Sequence, residues 1–526
     1  MSKNKNYILL IFLFFFSVYC ALTIGQSWDG GFHLIQGKIT LDYLFSLGKI
    51  NKDLFYRELY SPIYWSLQYL LTQIFPKQYQ IEVSHLINLS FALAAIFGIR
   101  KLSELLFNKE VGKIIFLILF FYPIFFGHMA FNSKDTILAF CHVWILYSVL
   151  NYLKKQQAIY KSNNYIIYIA VLTAIATGIQ IVFLGSLIPI FLFIIFEIFF
   201  FKKFINKNFS IKKFIYDLIK CVLISYFLLI LFWIDTHPNI FTLPFNIFAK
   251  SLSAWTGWPY NLVNGNYYIS SDVPKSYFLI NIFFKSPEYF TTSYIIFLVL
   301  LINSKNFFII NFKFFTYKLF FIITILIFPT IVLFIVPHPI YDGIRLFLWV
   351  MPYFCIIPGL TFYFLIKNFK FLIPKLFLSL LTFFVIYFLL IFFSLTPYQY
   401  TYLNIFNGKK ENRYKKFEND YWGASIKELV KNSKLDTNST ILISSCGINT
   451  SLAKKYFKNK GYSNLKFTNP KIADYIIMTN RTTFKVPNSK NINNITNCFD
   501  KYYGKNVEEV KRNNQILSVI RKIEKK

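Results

Sequence analysis

Acidic side chains are scarce in this chain: 24 Asp and Glu stand against 56 Lys and Arg among 526 residues. Patterned cysteine is missing as well. The six cysteines form no Cys-x-x-Cys pair and no cluster with histidine, which leaves out a zinc ribbon or finger. No Gly-x-Gly-x-x-Gly, P-loop or His-Glu-x-x-His occurs, and the missing P-loop argues against an ATP-driven pump. What the chain has is apolar surface: 56% of its residues are hydrophobic, 65 are Phe, and the mean hydropathy is +0.47. Soluble domains are rarely so apolar over such a length. A formal charge of +32 would suggest nucleic acid in a soluble protein, but here much of it lies in short loops between apolar runs. The positive-inside rule accounts for that distribution. The expected partner is therefore the bilayer, with anionic head groups as a secondary contact and no nucleic acid.

Apolar runs long enough to cross a hydrocarbon core of roughly 30 Å recur through the first three quarters of the chain. Met1 to Cys20 looks like a secretory leader, with Lys3 and Lys5 before an apolar run. No small-x-small cleavage site follows it, so a retained first span is expected over about residues 7–25. Further spans are expected at about 82–100, 113–127, 136–153, 164–181, 183–201, 214–234, 288–303, 319–336, 344–366 and 373–395. The piece at 62–75, ended by Pro76, is short for a span. Read as spanning, it sends Asp29 and Asp135 to opposite faces. Read as lying at the interface, it brings the loops of Lys101/Lys109/Lys113, Lys154/Lys155/Lys161, Lys202/Lys203/Lys212/Lys213, Lys305/Lys313/Lys318 and Lys367/Lys370/Lys375 to the side of Lys3 and Lys5, the cytoplasm. That agreement selects the interfacial reading and about 11 spans.

The expected architecture is an all-α polytopic membrane domain over 1–395. Its loops 26–81 (with Asp42, Asp53, Arg57 and Glu58), 128–135, 235–287 and 337–345 would share the non-cytoplasmic face. Residues 396–526 contain no further spanning run. Short apolar stretches at 441–444, 473–478 and 516–520 read as buried strands, and 423–432 and 450–458 as helices, giving a small extracytoplasmic α/β domain. Cys20, Cys141, Cys221 and Cys355 lie in or beside apolar runs and read as small hydrophobes. Cys446 and Cys498 could pair if their region lies outside the cytoplasm.

A carboxylate at a membrane is costly and tends to be functional. Asp29 follows the first span in Ser27-Trp28-Asp29-Gly30-Gly31-Phe32-His33, and Asp135 closes His128-Met129-Ala130-Phe131-Asn132-Ser133-Lys134-Asp135. Asp29 reads either as a solvated helix-end acid or as a general base taking a proton from an attacking hydroxyl or amine. Gly30 and Gly31 would let a ligand approach the backbone, and His33 could orient the acid or hydrogen-bond a sugar. Lys134 is either a point charge for a phosphate or half of a weak surface pair with Asp135. His128 is either a satisfied interfacial histidine or a substrate contact. Arg345, beside Tyr341 and Asp342, either snorkels to head groups or holds a lipid phosphate. In 235–287, Trp255, Trp258, Tyr260, Tyr267 and Tyr268 suit sugar stacking and a membrane interface equally.

Four stretches together resemble the membrane glycosyltransferases of GT-C fold. They are most similar to bacterial relatives of the dolichyl-phosphate-mannose–protein mannosyltransferases and lipid A aminoarabinose transferases. The stretches are Asp29 to His33; Phe126-Gly127-His128 through Asn132-Ser133-Lys134-Asp135, where Ser133 stands for the usual Pro; Tyr341-Asp342-Gly343-Ile344-Arg345; and Phe417-Glu418-Asn419-Asp420-Tyr421-Trp422-Gly423. Gly30 stands where an acid often follows the first Asp, and Gln180 lies near a usual arginine. The resemblance implies inverting transfer of a sugar from a polyprenyl-phosphate donor to a protein, lipid or glycan acceptor outside the cytoplasm of a bacterial inner membrane. It implies Asp29 as base, Asp135 assisting, and Lys134 and Arg345 on the donor phosphate. No obligatory metal is expected, with Mg²⁺ or Mn²⁺ on the two acids as the alternative. A flippase of lipid-linked saccharides and a non-catalytic assembly protein are the competing functional classes.

Overall fold

A charge-free run of Phe, Ile and Leu can satisfy its backbone inside a bilayer by forming a helix, and helices dominate the first 395 residues. The computed structural model describes residues 3–49, 59–253, 257–336, 339–435, 439–485 and 492–524. Asp53, Arg57, Glu58, Trp255, Pro337 and His338 lie outside the described residues. Among the described residues, seven helices are long and apolar enough to cross a membrane. The number is eight if Glu288–Asn303 and Lys305–Asn311, bent by 87°, make one span. Eleven is not reached, because prolines interrupt some of the expected runs. The 113–127 run is divided into Lys109–Phe120 and Pro123–His128. The 344–366 run breaks into Arg345–Phe347, Met351–Phe354 and Ile356–Lys367. Proline lacks the amide proton a helix interior needs but fits the first helical turn, so Pro123 and Pro352 open new helices instead of continuing old ones. The first helix, Lys3–Thr23, has 21 residues, and its apolar part is Tyr7–Thr23.

The piece expected at the interface forms Ile63–Gln73, only 11 residues. Tyr64, Trp65, Gln68 and Thr72 are buried on one face, while Leu67, Leu70 and Leu71 are exposed on the other. Gly37 allows this helix to lie close, since a Cβ there would sit 2.2 Å from the Trp65 carbonyl oxygen.

The basic loops gather at one end of the bundle. Lys367 pairs with Glu110 at 2.7 Å. Lys318 donates to the Leu106 carbonyl and lies over the Phe204 ring, which Lys154 also covers. Lys213 donates to the Gln156 carbonyl at 2.7 Å. All five sequence-defined loops are linked through these contacts.

At the chain's C-terminal end a five-stranded sheet has the order Leu465–Phe467, Ile441–Cys446, Tyr475–Thr479, Gln515–Ile523, Gly504–Arg512. The first two neighbouring pairs are parallel and the last two antiparallel. Helix Thr450–Asn459 makes the crossover between the first two strands in sequence, started by Asn449, whose side chain accepts from the Leu452 amide. The expected strands and helices here match these elements. Cys446 and Cys498 form a disulfide with Cα atoms 5.8 Å apart. The long 235–287 segment is not irregular. It carries helices Leu243–Ser253 and Tyr277–Lys285 and a hairpin, Tyr260–Val263 with Asn266–Ile269. The hairpin turn is Asn264-Gly265, both at positive φ, as a two-residue type I′ turn requires.

Candidate functional site

The two acid-bearing loops meet. His33 Nδ1 is 2.7 Å from Ser133 Oγ, and the ring stacks on Trp65 at 4.1 Å. Trp65 Nε1 donates to the Ser133 carbonyl at 2.9 Å. The interfacial helix is thus the bracket that fastens the first loop to the second, and Asp29 and Asp135 come to the same end of the bundle. That end is opposite the basic loops, which follow from the other terminus of the Lys109–Phe120 helix.

Asp135 is buried at the start of helix Asp135–Lys155. Asn132 Nδ2 donates to its Oδ2 at 3.0 Å, and Asn132 Oδ1 accepts from the Lys134 and Asp135 amides, so Asn132 fixes the whole turn. Arg345 Nε lies 3.8 Å from the same Asp135 oxygen. Arg345 Nη2 is 3.4 Å from Asp342 Oδ2, and its guanidinium covers the rings of Trp422 and Tyr341 at 4.5 and 5.1 Å. Arg345 therefore does not snorkel. It is 4% exposed and held by two carboxylates, as an ion must be when desolvation alone costs several kcal/mol. Asp342 and Gly343 are both at positive φ, and a Cβ on Gly343 would meet Lys285 Nζ at 2.4 Å.

Asp29 is half-buried ahead of helix Gly30–Phe45, and its carboxylate makes no capping bond to that helix. Its charge reaches Tyr341. Burial pushes the Tyr341 phenol up, Arg345 and Lys134 pull it back, and Asp342 and Asp29 push it up again. Tyr341 is thus surrounded by the residues singled out from three separate loops. Lys134 Nζ lies over the Tyr60 ring at 5.4 Å.

His128 is fully buried with Nε2 2.6 Å from the Tyr421 hydroxyl and Nδ1 3.3 Å from Asn132 Nδ2. Both ring nitrogens are engaged by protein, the geometry of a satisfied histidine that braces Asn132. Of the aromatic residues in 235–287, Trp258 belongs to the site, while Tyr260 packs on Phe484 and Tyr267 faces Thr496 and Asn497. These tyrosines anchor the hairpin to the C-terminal strands.

Two residues of the site, Arg481 and Lys285, carried no sequence signal, whereas Glu418 and Asp420 lie in the 417–423 stretch singled out from the sequence. Arg481 follows strand Tyr475–Thr479 and pairs with Asp342 at 2.9 Å. Lys285 ends its helix against the rings of Phe417 and Tyr421, and burial lowers its pKa to about 8 despite Glu418 and Asp342 nearby. Glu418 accepts from the Thr482 amide and hydroxyl, both at 2.7 Å. Asp420 accepts from Ala424 and Ser425 amides at 2.9 and 3.0 Å, which makes it a turn-forming residue. Among the described residues no group of three His, Cys, Asp or Glu side chains is arranged to hold a metal ion.

No family model matches the chain, and no curated protein matches it in sequence. Solved structures do match it. ArnT from Cupriavidus metallidurans, in the apo state and bound to undecaprenyl phosphate, aligns over 99% of this chain and 98% of that one, with a TM-score of 0.52 at 10% identity. The oligosaccharyltransferase of Archaeoglobus fulgidus, in the apo form, overlaps more loosely, with a TM-score of 0.45, 11% identity, and 91% of this chain against 70% of that one. The chain has the GT-C fold, shared with ArnT from end to end.

Proposed function

We propose that this protein is an inverting glycosyltransferase that moves a sugar from a polyprenyl-phosphate donor to an acceptor on the non-cytoplasmic face of the membrane. The observation that carries the reading is the His33–Ser133 contact, because it joins the Asp29 and Asp135 loops into one site beside a buried arginine. The likeness in fold to ArnT, which was solved bound to undecaprenyl phosphate, supports a lipid-phosphate donor. The clustering of basic loops at the opposite end, together with the Cys446–Cys498 disulfide, supports an extracytoplasmic site.

Asp29 takes the proton of the acceptor hydroxyl or amine. The acceptor atom bonds to the anomeric carbon, and the bond from that carbon to the phosphate oxygen breaks with its electron pair going to the phosphate. The leaving phosphate gains negative charge, and Arg345 and Lys134, both beside Tyr341, offset it. Asp135 holds Arg345 in place, and His33 keeps the first loop on the second. The reading needs no metal, since Asp135 and Asp342 already face guanidinium groups that would repel a cation. EDTA is accordingly expected to leave the rate unchanged, and restoration of a lost rate by Mg²⁺ or Mn²⁺ would contradict this.

The test is transfer of labelled sugar from a polyprenyl-phosphate donor. Asp29→Asn is expected to lower transfer by about 10²- to 10⁴-fold, the usual contribution of a general base, while leaving donor binding intact. A normal rate in that variant removes Asp29 from the mechanism. Movement of donor across the bilayer without any glycosylated product would identify a flippase instead.

A further inference from the structure

Two buried guanidinium groups share one small carboxylate. Arg481 Nη2 lies 2.9 Å from Asp342 Oδ1, and Arg345 Nη2 lies 3.4 Å from Asp342 Oδ2. All three side chains are at least 95% buried. The contacts are ionic but poorly aligned: neither Asp342 oxygen makes a hydrogen bond among the described residues, and the Nε of each arginine makes none either, Arg345 Nε keeping only its 3.8 Å ion pair with Asp135. Leaving such atoms unpaired in a buried site costs about 1–3 kcal/mol each, so neither the guanidinium donors nor the carboxylate oxygens are satisfied as they stand.

Both arginines pack against aromatic rings. Arg481 lies over Trp258 at 4.4 Å and Trp28 at 5.8 Å, as Arg345 lies over Trp422 and Tyr341. Trp28 and Trp258 touch each other with ring centroids 5.7 Å apart, so they lie to one side of Arg481, and a guanidinium packed against rings still offers a ligand its edge. The edge is the part that bonds a tetrahedral oxyanion with paired, parallel hydrogen bonds. Trp28 precedes Asp29 directly, so Arg481 packs near the residue next to the proposed base in sequence. Arg481 Nη1 also donates to the Tyr421 carbonyl, which ties it to the segment that covers Arg345.

We propose that Arg481, supplied by the C-terminal α/β region, is the second guanidinium of a phosphate site. Asp342 holds the two arginines as a place-holder until a phosphate group takes the position between them. The inference rests on the reading that Arg345 meets the donor phosphate, and adds a ligand from a part of the chain some 140 residues away in sequence. It also assigns the C-terminal region a chemical role. The donor phosphodiester carries one negative charge and the released monoester up to two, so a second arginine favours the departing phosphate over the bound donor.

The test uses the full chain in detergent, with a polyprenyl monophosphate and inorganic phosphate as separate probes, and size-exclusion and melting profiles to verify folding. Arg481→Gln is expected to weaken binding by about tenfold or more, as loss of a charged hydrogen-bond donor does, with Arg481→Lys restoring only part. Asp342→Asn is expected to tighten binding several-fold, which a purely structural ion pair would not do. If Arg481→Gln does not fold, Asp342→Asn and Arg481→Lys decide. Unchanged or weaker binding in Asp342→Asn overturns the proposal. Weakening in Arg345→Gln with none in Arg481→Gln overturns this inference alone, whereas no weakening in either overturns the underlying phosphate reading. Shifts with both probes assign the site to the phosphate itself, and shifts with the lipid probe alone assign it to the membrane-borne head group; both uphold the pairing.

Discussion

Lys285 shows how much the site constrains single residues. Its ammonium is buried between Gly343 and two aromatic rings, and burial lowers its pKa from an ordinary value near 10.5 to about 8. The unfolded chain therefore keeps a proton that the folded chain releases between about pH 8 and pH 10.5. Stability must then rise with pH through that window, and be lowest below pH 8, where the buried group is charged. The natural chain is expected to gain on the order of 3 kcal/mol relative to Lys285→Met between pH 7.5 and 10.5, since each pKa unit corresponds to about 1.4 kcal/mol. Thermal melts of both proteins across that range measure it, and a difference that stays flat with pH refutes the shifted lysine. Residues of this kind were not legible in the sequence. Asp29 and Asp135 stood out because acids are rare here and each adjoins an apolar run. Lys285 and Arg481 are two among 56 basic residues, and only long-range contacts set them apart. The partner of His128 was hidden for a related reason: its neighbours in sequence are the site's, but its ring bonds Tyr421, 293 residues away.

At the level of elements, the short helix Ile63–Gln73 decides the most. Eleven residues rise about 16 Å at 1.5 Å each, half of what a hydrocarbon core requires. Its polar, buried face carries Trp65 and Gln68 to the second loop and the next helix, and its exposed leucines face outward. A helix with that division belongs in the plane of the interface. A nitroxide on Leu71→Cys in bilayers is expected to lie near the head groups, measured by the ratio of oxygen to nickel-chelate relaxation. One on Leu223→Cys, midway along the exposed helix Ile211–Phe232, is expected near the bilayer centre. Equal depth for the two labels would make the short helix part of a span. The sequence revealed this helix through its length and Pro76, and the C-terminal strands through their apolar stretches. It hid the breaks at Pro123 and Pro352, because apolar composition continues on both sides of a proline. It also offered the hairpin openly, in Asn264-Gly265, where length alone had suggested a loop.

For the whole molecule, one polarity follows from these elements. Five basic loops touch one another at one end, while the Asp29 loop, the Asp135 turn, Arg345 and the C-terminal sheet converge at the other. The Asn449 side chain donates to the Trp28 carbonyl, and the Gln26 amide donates to the Tyr456 hydroxyl, so the sheet region rests directly on the first loop. Every one of those contacts would be lost if the C-terminal region lay across the membrane from Asp29. The bilayer side of the site can therefore be read from two exposed positions far from the chemistry, Lys109 among the basic loops and Lys505 on strand Gly504–Arg512. A membrane-impermeant maleimide added to intact cells is expected to label Lys505→Cys at once and Lys109→Cys only after permeabilisation. The unsubstituted protein serves as background: Cys20, Cys141 and Cys355 are buried, Cys446 is bonded to Cys498, and the half-buried Cys221 lies within the apolar helix Ile211–Phe232. The reverse pattern would turn the entire molecule over. It would put Asp29 and the arginines in the cytoplasm, where a disulfide does not persist and basic loops would no longer follow the inside rule. Labelling of both positions in intact cells would separate the two ends of the chain that the contacts join, and the shared site would fall with them.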